Sequence, residues 1–270
     1  MDTLKRHHVR VSGTGPQTIV FVHGFGCDQH MWRLVAPAFE TGYRVVLLDL
    51  MGAGNSELTA YDPARYSTLA AHAEDVRGIL QALNLQDVVF VGHSVSAMIG
   101  VLAAIQEPAL FARLVLVAPS PRYINEGDYT GGFESADIQE LLEAMDSNYL
   151  GWSAAFAPVV MDHSDQPELA AELTNSFCRT DPTIARHFAE VMFRSDERAS
   201  LRLLSTPALI LQSARDLIAP LCVGTYVHEQ LAGSQLIVMD TTGHCPHLSA
   251  PQITIAALQA YLQSSRLLSV

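Results

Sequence analysis

The sequence predicts an α/β fold, a mostly parallel twisted sheet with helices on both faces. Three observations predict it. Short β-branched runs recur along the chain and are apolar almost throughout, as strands buried on both faces are. Helical periodicities lie between most of these runs, and alternation of strand and helix implies a doubly wound parallel sheet. The chain has 270 residues, 49% of them hydrophobic and 16% charged, which suffices for one large core with room for an inserted subdomain.

In chain order, His7–Ser12 reads as an antiparallel edge strand. The buried strands follow at Thr18–Val22, Arg44–Asp49, Val88–Val91, Leu114–Val117, Ala208–Leu211 and Gln235–Met239. In Ser67–Leu83, residues Leu69, Val76, Leu80 and Leu83 share one helical face. Val95–Gln106 and Pro251–Leu262 also read as helices. Between Pro121 and Ser195 the alternation breaks, and four helical patterns follow one another: Ala136–Ser147, Gly151–Met161, Pro167–Cys178 and Asp181–Arg194. The last opens on Asp181 as N-cap with Pro182 at the first helical position, and its Ile184, Phe188, Val191 and Met192 make one stripe. The expected organisation is a core of 1–120 and 196–270 with a four-helix lid, 121–195, inserted in it.

Charge and cysteine content exclude several classes. Sixteen Lys and Arg against 28 Asp and Glu leave a net charge of −12, which argues against nucleic acid and anionic membranes as partners. Four cysteines, Cys27, Cys178, Cys222 and Cys245, are too few for a disulfide scaffold and too scattered for a paired zinc motif. No metal and no organic cofactor is expected. The N-terminal stretch has no apolar signal region, and the longest nearly apolar run, Val95–Ile105, is too short to span a bilayer. Reduced thiols and the lack of a leader fit a cytoplasmic protein.

The chemistry is carried by motifs at strand ends. Val88–Ser94 reads VVFVGHS and is followed by VSAMIGVLAAI, a strand, a sharp turn and a helix. That arrangement exposes a nucleophile at the turn, here Ser94, with small residues where the strand and helix backbones approach. Gly92 meets the requirement on one side, while Ser96 stands where the common G-x-S-x-G motif has Gly. The strand ending at Val22 runs into His23-Gly24-Phe25-Gly26, a turn suited to an oxyanion donor. The backbone N–H groups of Phe25 and Val95 are the candidate oxyanion hole, and the Phe25 side chain the candidate pocket floor. His23 reads as a structural hydrogen-bonding residue, and His93 as a residue shaping the turn.

A general base and its acid follow in the order serine, acid, histidine. Asp216 falls after the strand Ala208–Leu211, and His244 in the exit loop of Gln235–Met239. Ser94 attacks, His244 takes its proton and Asp216 orients the imidazole. Asp216 is favoured over Asp240, which lies on the way into the loop, and over Asp49, which ends an earlier strand. His247 is the rival base. Its spacing from His244 also matches H-x-x-H metal ligation, with no third ligand evident.

With these residues the sequence resembles the α/β-hydrolase superfamily. Gly26-Cys27-Asp28-Gln29, the stretch from Gly92 to Gly100, Tyr129-Thr130-Gly131-Gly132-Phe133-Glu134, Phe177-Cys178-Arg179-Thr180-Asp181-Pro182 and Gly243-His244-Cys245-Pro246-His247 resemble one branch of it. That branch comprises the RsbQ-type bacterial stress regulators and the plant karrikin and strigolactone receptor hydrolases. The resemblance runs from about His7 to Tyr261. It implies an α/β-hydrolase fold with a lid of four helices, and a Ser94, Asp216 and His244 triad. It further implies an apolar pocket lined by Phe25, Tyr123, Phe133, Trp152, Phe156 and Phe193. Independently, nine of the 20 aromatic residues lie between Pro121 and Ser195, just over a quarter of the chain.

Two functional classes follow. One is a serine hydrolase for a small hydrophobic ester or butenolide-like lactone. The other is a slow-turnover ligand sensor that signals through a protein partner, such as the PAS-domain phosphatase of the bacterial regulators. A dehalogenase-like activity is disfavoured because it needs Asp at position 94.

Overall fold

Alternation along each strand sends successive side chains to opposite faces, and here both faces are apolar. Val20, Val46, Phe90, Leu114 and Ile210 point into one hydrophobic cluster, while Ile19, Val45, Val89, Val115 and Leu209 point into another. This explains why the strands read as unbroken apolar runs rather than alternating ones. The computed structural model describes residues 2–264. Met1 and residues 265–270, which fall in the core segments expected from the sequence, lie outside the described residues.

The strands are β1 (Arg10–Ser12), β2 (Gln17–Val22), β3 (Tyr43–Leu48), β4 (Val88–His93), β5 (Phe111–Val117), β6 (Ala208–Arg215) and β7 (Gln235–Thr242). They form one sheet of order β1-β3-β2-β4-β5-β6-β7, parallel throughout except for β1, which pairs antiparallel with β3. The edge strand expected over His7–Ser12 is therefore shorter. A one-turn helix, α1 (Thr3–Arg6), precedes it, with the Asp2 carboxylate accepting from the Leu4 amide.

Helices α2 (Leu69–Ala82) and α3 (Val95–Gln106) cover one face. Between β5 and β6 run α4 (Ser135–Ser147), α5 (Tyr149–Met161), α6 (Pro167–Arg179), α7 (Pro182–Arg194) and the single turn α8 (Arg198–Leu201). The sequence places Asp181 as the cap of α7, and its carboxylate accepts from the Thr183 and Ile184 amides at 2.9 and 3.1 Å. The stretch before α4 holds only two isolated bridges among the described residues, Ile124 with Phe133 and Glu126 with Tyr129. Ile138, Leu142, Leu173, Phe188 and Phe193 from these helices join the same apolar cluster as the α2 and α3 face of the sheet. After β6 come α9 (Leu221–Gln230), and after β7 come α10 (Pro246–Ser249) and α11 (Pro251–Ser264). Leu258, Tyr261 and Leu262 of α11 pack with Trp32 and Phe39 on the opposite face. Among the described residues no helix is long and apolar enough to cross a membrane.

One contact between α2 and α7 is pH-sensitive. The His72 ring on α2 is buried, 4.8 Å from both Tyr66 and Phe188, and neither nitrogen has a hydrogen-bond partner among the described residues. Burial, with smaller contributions from His7 and His23, pushes its pKa down to about 3. The unfolded chain protonates this ring as pH falls through about 6.5, while the folded chain does not. The neutral ring's contribution is thus complete above pH 6.5 and lost on acidification. Each pH unit below that costs about 1.4 kcal/mol for this group. Urea unfolding is expected to show a stability loss between pH 7 and 5 that His72→Phe reduces by about 2 kcal/mol, the unfolded ring being only partly protonated near pH 6.5. An unchanged loss would reject the assignment.

Candidate active site

Ser94 alone makes the reversal between β4 and α3. It holds φ 56° and ψ −122°, a conformation that L-residues adopt only under constraint from their surroundings. The constraint is visible at Gly92, where a Cβ would lie 2.4 Å from the Ser96 carbonyl oxygen. Ser96, the departure from the common motif, is fully buried, and its hydroxyl donates to the His23 carbonyl at 2.5 Å. A glycine there could not tie the start of α3 to the loop that follows β2.

That loop is adjacent because β2 pairs with β4 on one side and β3 on the other, so consecutive crossovers leave in opposite directions. Ligand sites of open α/β sheets form at such a reversal, beyond the carboxyl ends of the strands. The Leu50 amide donates to His23 Nε2 at 3.0 Å, so His23 Nδ1 carries the hydrogen and donates to the Gly24 carbonyl at 2.8 Å. His23 is thereby committed to loop structure. A Cβ on Gly24 would lie 2.5 Å from His93 Nδ1, and Gly26, at φ 68°, packs its bare Cα against the Phe177 ring. Both glycines let the backbone around Phe25 approach Ser94. Val95 opens α3, so its N–H is among the donors a helix leaves free in its first turn.

The structure brings Ser94, His244 and Asp216 together from three strand ends. His244 Nε2 lies 2.7 Å from Ser94 Oγ, and His244 Nδ1 lies 2.7 Å from Asp216 Oδ2. The other carboxylate oxygen of Asp216 accepts from the Ile218 and Ala219 amides at 2.8 and 3.0 Å. The His244 loop is pinned from α5, whose Val160 carbonyl accepts the His244 amide at 2.8 Å. Gly243, at φ 81°, passes so close to Met161 that a Cβ would collide with its carbonyl. The competitors are elsewhere engaged. Asp240 is exposed. Asp49 is buried with its oxygens accepting from the Gln29 and Asn55 amides, both at 2.9 Å. His247 packs its ring 4.6 Å from Trp32 and 4.4 Å from His93. His93 donates from Nε2 to the His244 carbonyl at 2.8 Å, a link the sequence did not signal.

Ser94 and His244 sit in the wall of an apolar cavity of about 30 Å³. Of the six expected pocket residues, Phe25, Tyr123, Phe156 and Phe193 line it. Phe133 and Trp152 do not. Phe133 stacks edge-on behind Phe193 at 5.9 Å, and Trp152 lies against Phe156 and Phe177 at 5.3 and 5.2 Å, one layer back. Phe177, Leu173 and Met192 take part instead, with Cys27 and Cys245 at the core side. Phe177 opens the stretch Phe177–Pro182, which carries part of the family resemblance, and Met192 belongs to the apolar stripe of α7. No local pattern marks Leu173. The Tyr123 hydroxyl is 3.3 Å from Ser94 Oγ, and burial pushes its pKa up to about 12. It stays a neutral phenol able to donate to oxygen at this point.

Comparison with known proteins agrees with this fold. The alpha/beta hydrolase family model matches residues 19–257. The chain is 43% identical over 257 residues to karrikin insensitive 2 receptor CA of Petunia hybrida, covering 95% of each chain. It is 40% identical over 251 residues to strigolactone esterase D14 of Arabidopsis thaliana, covering 93% of this chain and 94% of the relative. The solved structure of a hydrolase from Oleispira antarctica superposes with a TM-score of 0.95 at 42% identity, covering 97% of this chain and 96% of that one.

Proposed function

The chain belongs to the alpha/beta hydrolase family, and from that premise we propose that it is a serine hydrolase acting on a small hydrophobic ester or a butenolide-like lactone. The observation that carries this reading is the unbroken hydrogen-bonded chain from Ser94 through His244 to Asp216 in the wall of an apolar cavity. Ser94 Oγ attacks the carbonyl carbon as its proton passes to His244 Nε2. The developing oxyanion is held by the Phe25 and Val95 amides. Collapse of the tetrahedral intermediate breaks the carbonyl–oxygen bond, and His244 returns the proton to the leaving alkoxide or enolate. Water then attacks the acyl group on Ser94 with His244 again as base, releasing the acid. Asp216 accepts from the imidazole and holds it in the tautomer with Nδ1–H.

In the same reading, residues 121–195 serve as a lid on a core formed by 1–120 and 196–270. A cavity of about 30 Å³ is far smaller than the roughly 300 Å³ or more of ordinary ligand sites. Binding must therefore displace wall residues, and Phe156, Leu173, Phe177, Met192 and Phe193 all belong to α5, α6 and α7. That requirement also favours the second reading, a sensor in which ligand-driven movement of these helices is read by a protein partner. The curated relative named as a karrikin receptor is consistent with it.

Intact-protein mass spectrometry after exposure to an aryl ester and to a butenolide tests both. A transient acyl mass on Ser94 supports hydrolysis. Hydrogen exchange that changes in α5–α7 on butenolide binding to Ser94→Ala, with no covalent mass, supports sensing. No adduct and no exchange change with either class of compound would remove the ester and lactone assignment.

A further inference from the structure

Behind His244 lies a second group of side chains that the hydrolytic chemistry does not use. His93 ends β4, while Cys245 and His247 follow His244. The three are 2%, 1% and 0% exposed. One donor atom from each, a ring nitrogen or the thiol sulfur, lies within 4.8 Å of the other two. Neither nitrogen of His247, nor Nδ1 of His93, has a hydrogen-bond partner among the described residues. Protein interiors leave few polar atoms in that condition, and each calls for a reason.

Their setting is that of ligands held in place. His93 Nε2 donates to the His244 carbonyl at 2.8 Å, which leaves Nδ1 as a bare lone pair. Metal-bound imidazoles are commonly oriented by such a bond from the other nitrogen. The His247 ring lies between Trp32 and His93, at centroid distances of 4.6 and 4.4 Å, which restricts its plane. His93 and Cys245 also form part of the cavity wall beside Ser94, so the group can be reached from that cavity. The H-x-x-H spacing read from the sequence is not what assembles it. His244 is engaged by Ser94 and Asp216, and the donors that join His247 come from β4 and from Cys245.

We propose that His93, Cys245 and His247 form a three-coordinate site for a soft monovalent cation, Cu(I). Two neutral imidazoles and one thiolate carry a single negative charge. A monovalent ion brings the buried assembly to neutrality, whereas a divalent ion leaves one positive charge in an apolar interior, where unpaired charge is costly. Thiolate and imidazole donors are also those that soft copper prefers. On binding, the copper–sulfur bond forms, the Cys245 thiol proton leaves to solvent, and no redox change is involved. Metal–nitrogen distances of about 2.0 Å and metal–sulfur distances of about 2.3 Å require donors roughly 3.5–3.8 Å apart. The widest pair therefore closes by at most about 1 Å.

The test is anaerobic titration of the whole chain with Cu(I) against bicinchoninate, in a Cys178→Ser, Cys222→Ser background that removes the two exposed thiols. One copper per chain should be retained, its X-ray absorption should show one sulfur and two nitrogen ligands, and Tm should rise with loading. Cys245→Leu and His247→Phe should each weaken retention by roughly tenfold to a hundredfold or more. The proposal is overturned if that background holds no copper, if the spectrum lacks sulfur, or if Cys245→Leu binds as tightly as its parent. The absorption spectrum decides the matter even where a variant fails to fold.

Discussion

Ser94→Ala is expected to lower turnover of a reactive aryl ester by about four to six orders of magnitude, with the fold and ligand affinity preserved. The substitution removes only Oγ, which touches His244 at 2.7 Å and Tyr123 at 3.3 Å. The backbone strain at φ 56° is set by the β4–α3 turn and persists in the variant. Residual rate would come from the Phe25 and Val95 amides and from binding. The measurement is the initial rate of each purified protein, with circular dichroism to show equal folding. Equal rates would remove Ser94 as nucleophile, whatever the substrate class.

The second large effect is expected from Asp216→Asn, about four orders of magnitude in kcat with a small change in KM. Asp216 holds two backbone amides on one oxygen and the His244 imidazole on the other. An amide in its place keeps its carbonyl oxygen toward the Ile218 and Ala219 donors, which turns its NH₂ group toward His244. The imidazole must then present Nδ1 as acceptor and carry its hydrogen on Nε2, facing Ser94. The base is present but in the wrong tautomer. A kcat within tenfold of wild type would transfer the orienting role to another group, with Asp240 excluded by its exposure.

The two variants probe different kinds of legibility. Residues 94, 216 and 244 stand out in the sequence because each follows a strand, and strands announce themselves through local composition. Side chains that alternate between two apolar clusters leave no polar position in the runs Ile19–Val22, Val88–Val91 and Leu114–Val117, so the strand ends can be located to within a few residues. Other elements gave a weaker signal, α9 and the single turn α1 among them. Helix α9 carries β-branched Val223, Thr225 and Val227 and a central Gly224, which packs against Gln212, so its helical propensity is poor and its partner is distant in sequence. Helix α1 is a single capped turn, below the length at which periodicity can be read.

The cavity was legible only in kind. An aromatic-rich block between β5 and β6 points to an apolar pocket, but not to the layer in which each ring lies. Phe133 and Trp152 stand behind Phe193 and Phe156, while Phe177 comes forward because Gly26 offers it no Cβ. The replacement of Gly by Ser at position 96 likewise gains its meaning from the His23 carbonyl, 73 residues away in sequence.

By itself, the sequence determined the order of the strands and of most helices, the candidate residues at the strand ends and the negative charge that disfavours nucleic acid. These depend on hydrophobic periodicity and turn chemistry, which act over a few residues. Only the tertiary structure decided which carboxylate meets His244, which aromatic rings face Ser94, how little space they leave, and that His93, Cys245 and His247 converge behind the loop. Those outcomes depend on how segments far apart in the chain pack to contact, where a shift of one side-chain layer exchanges a lining residue for a supporting one.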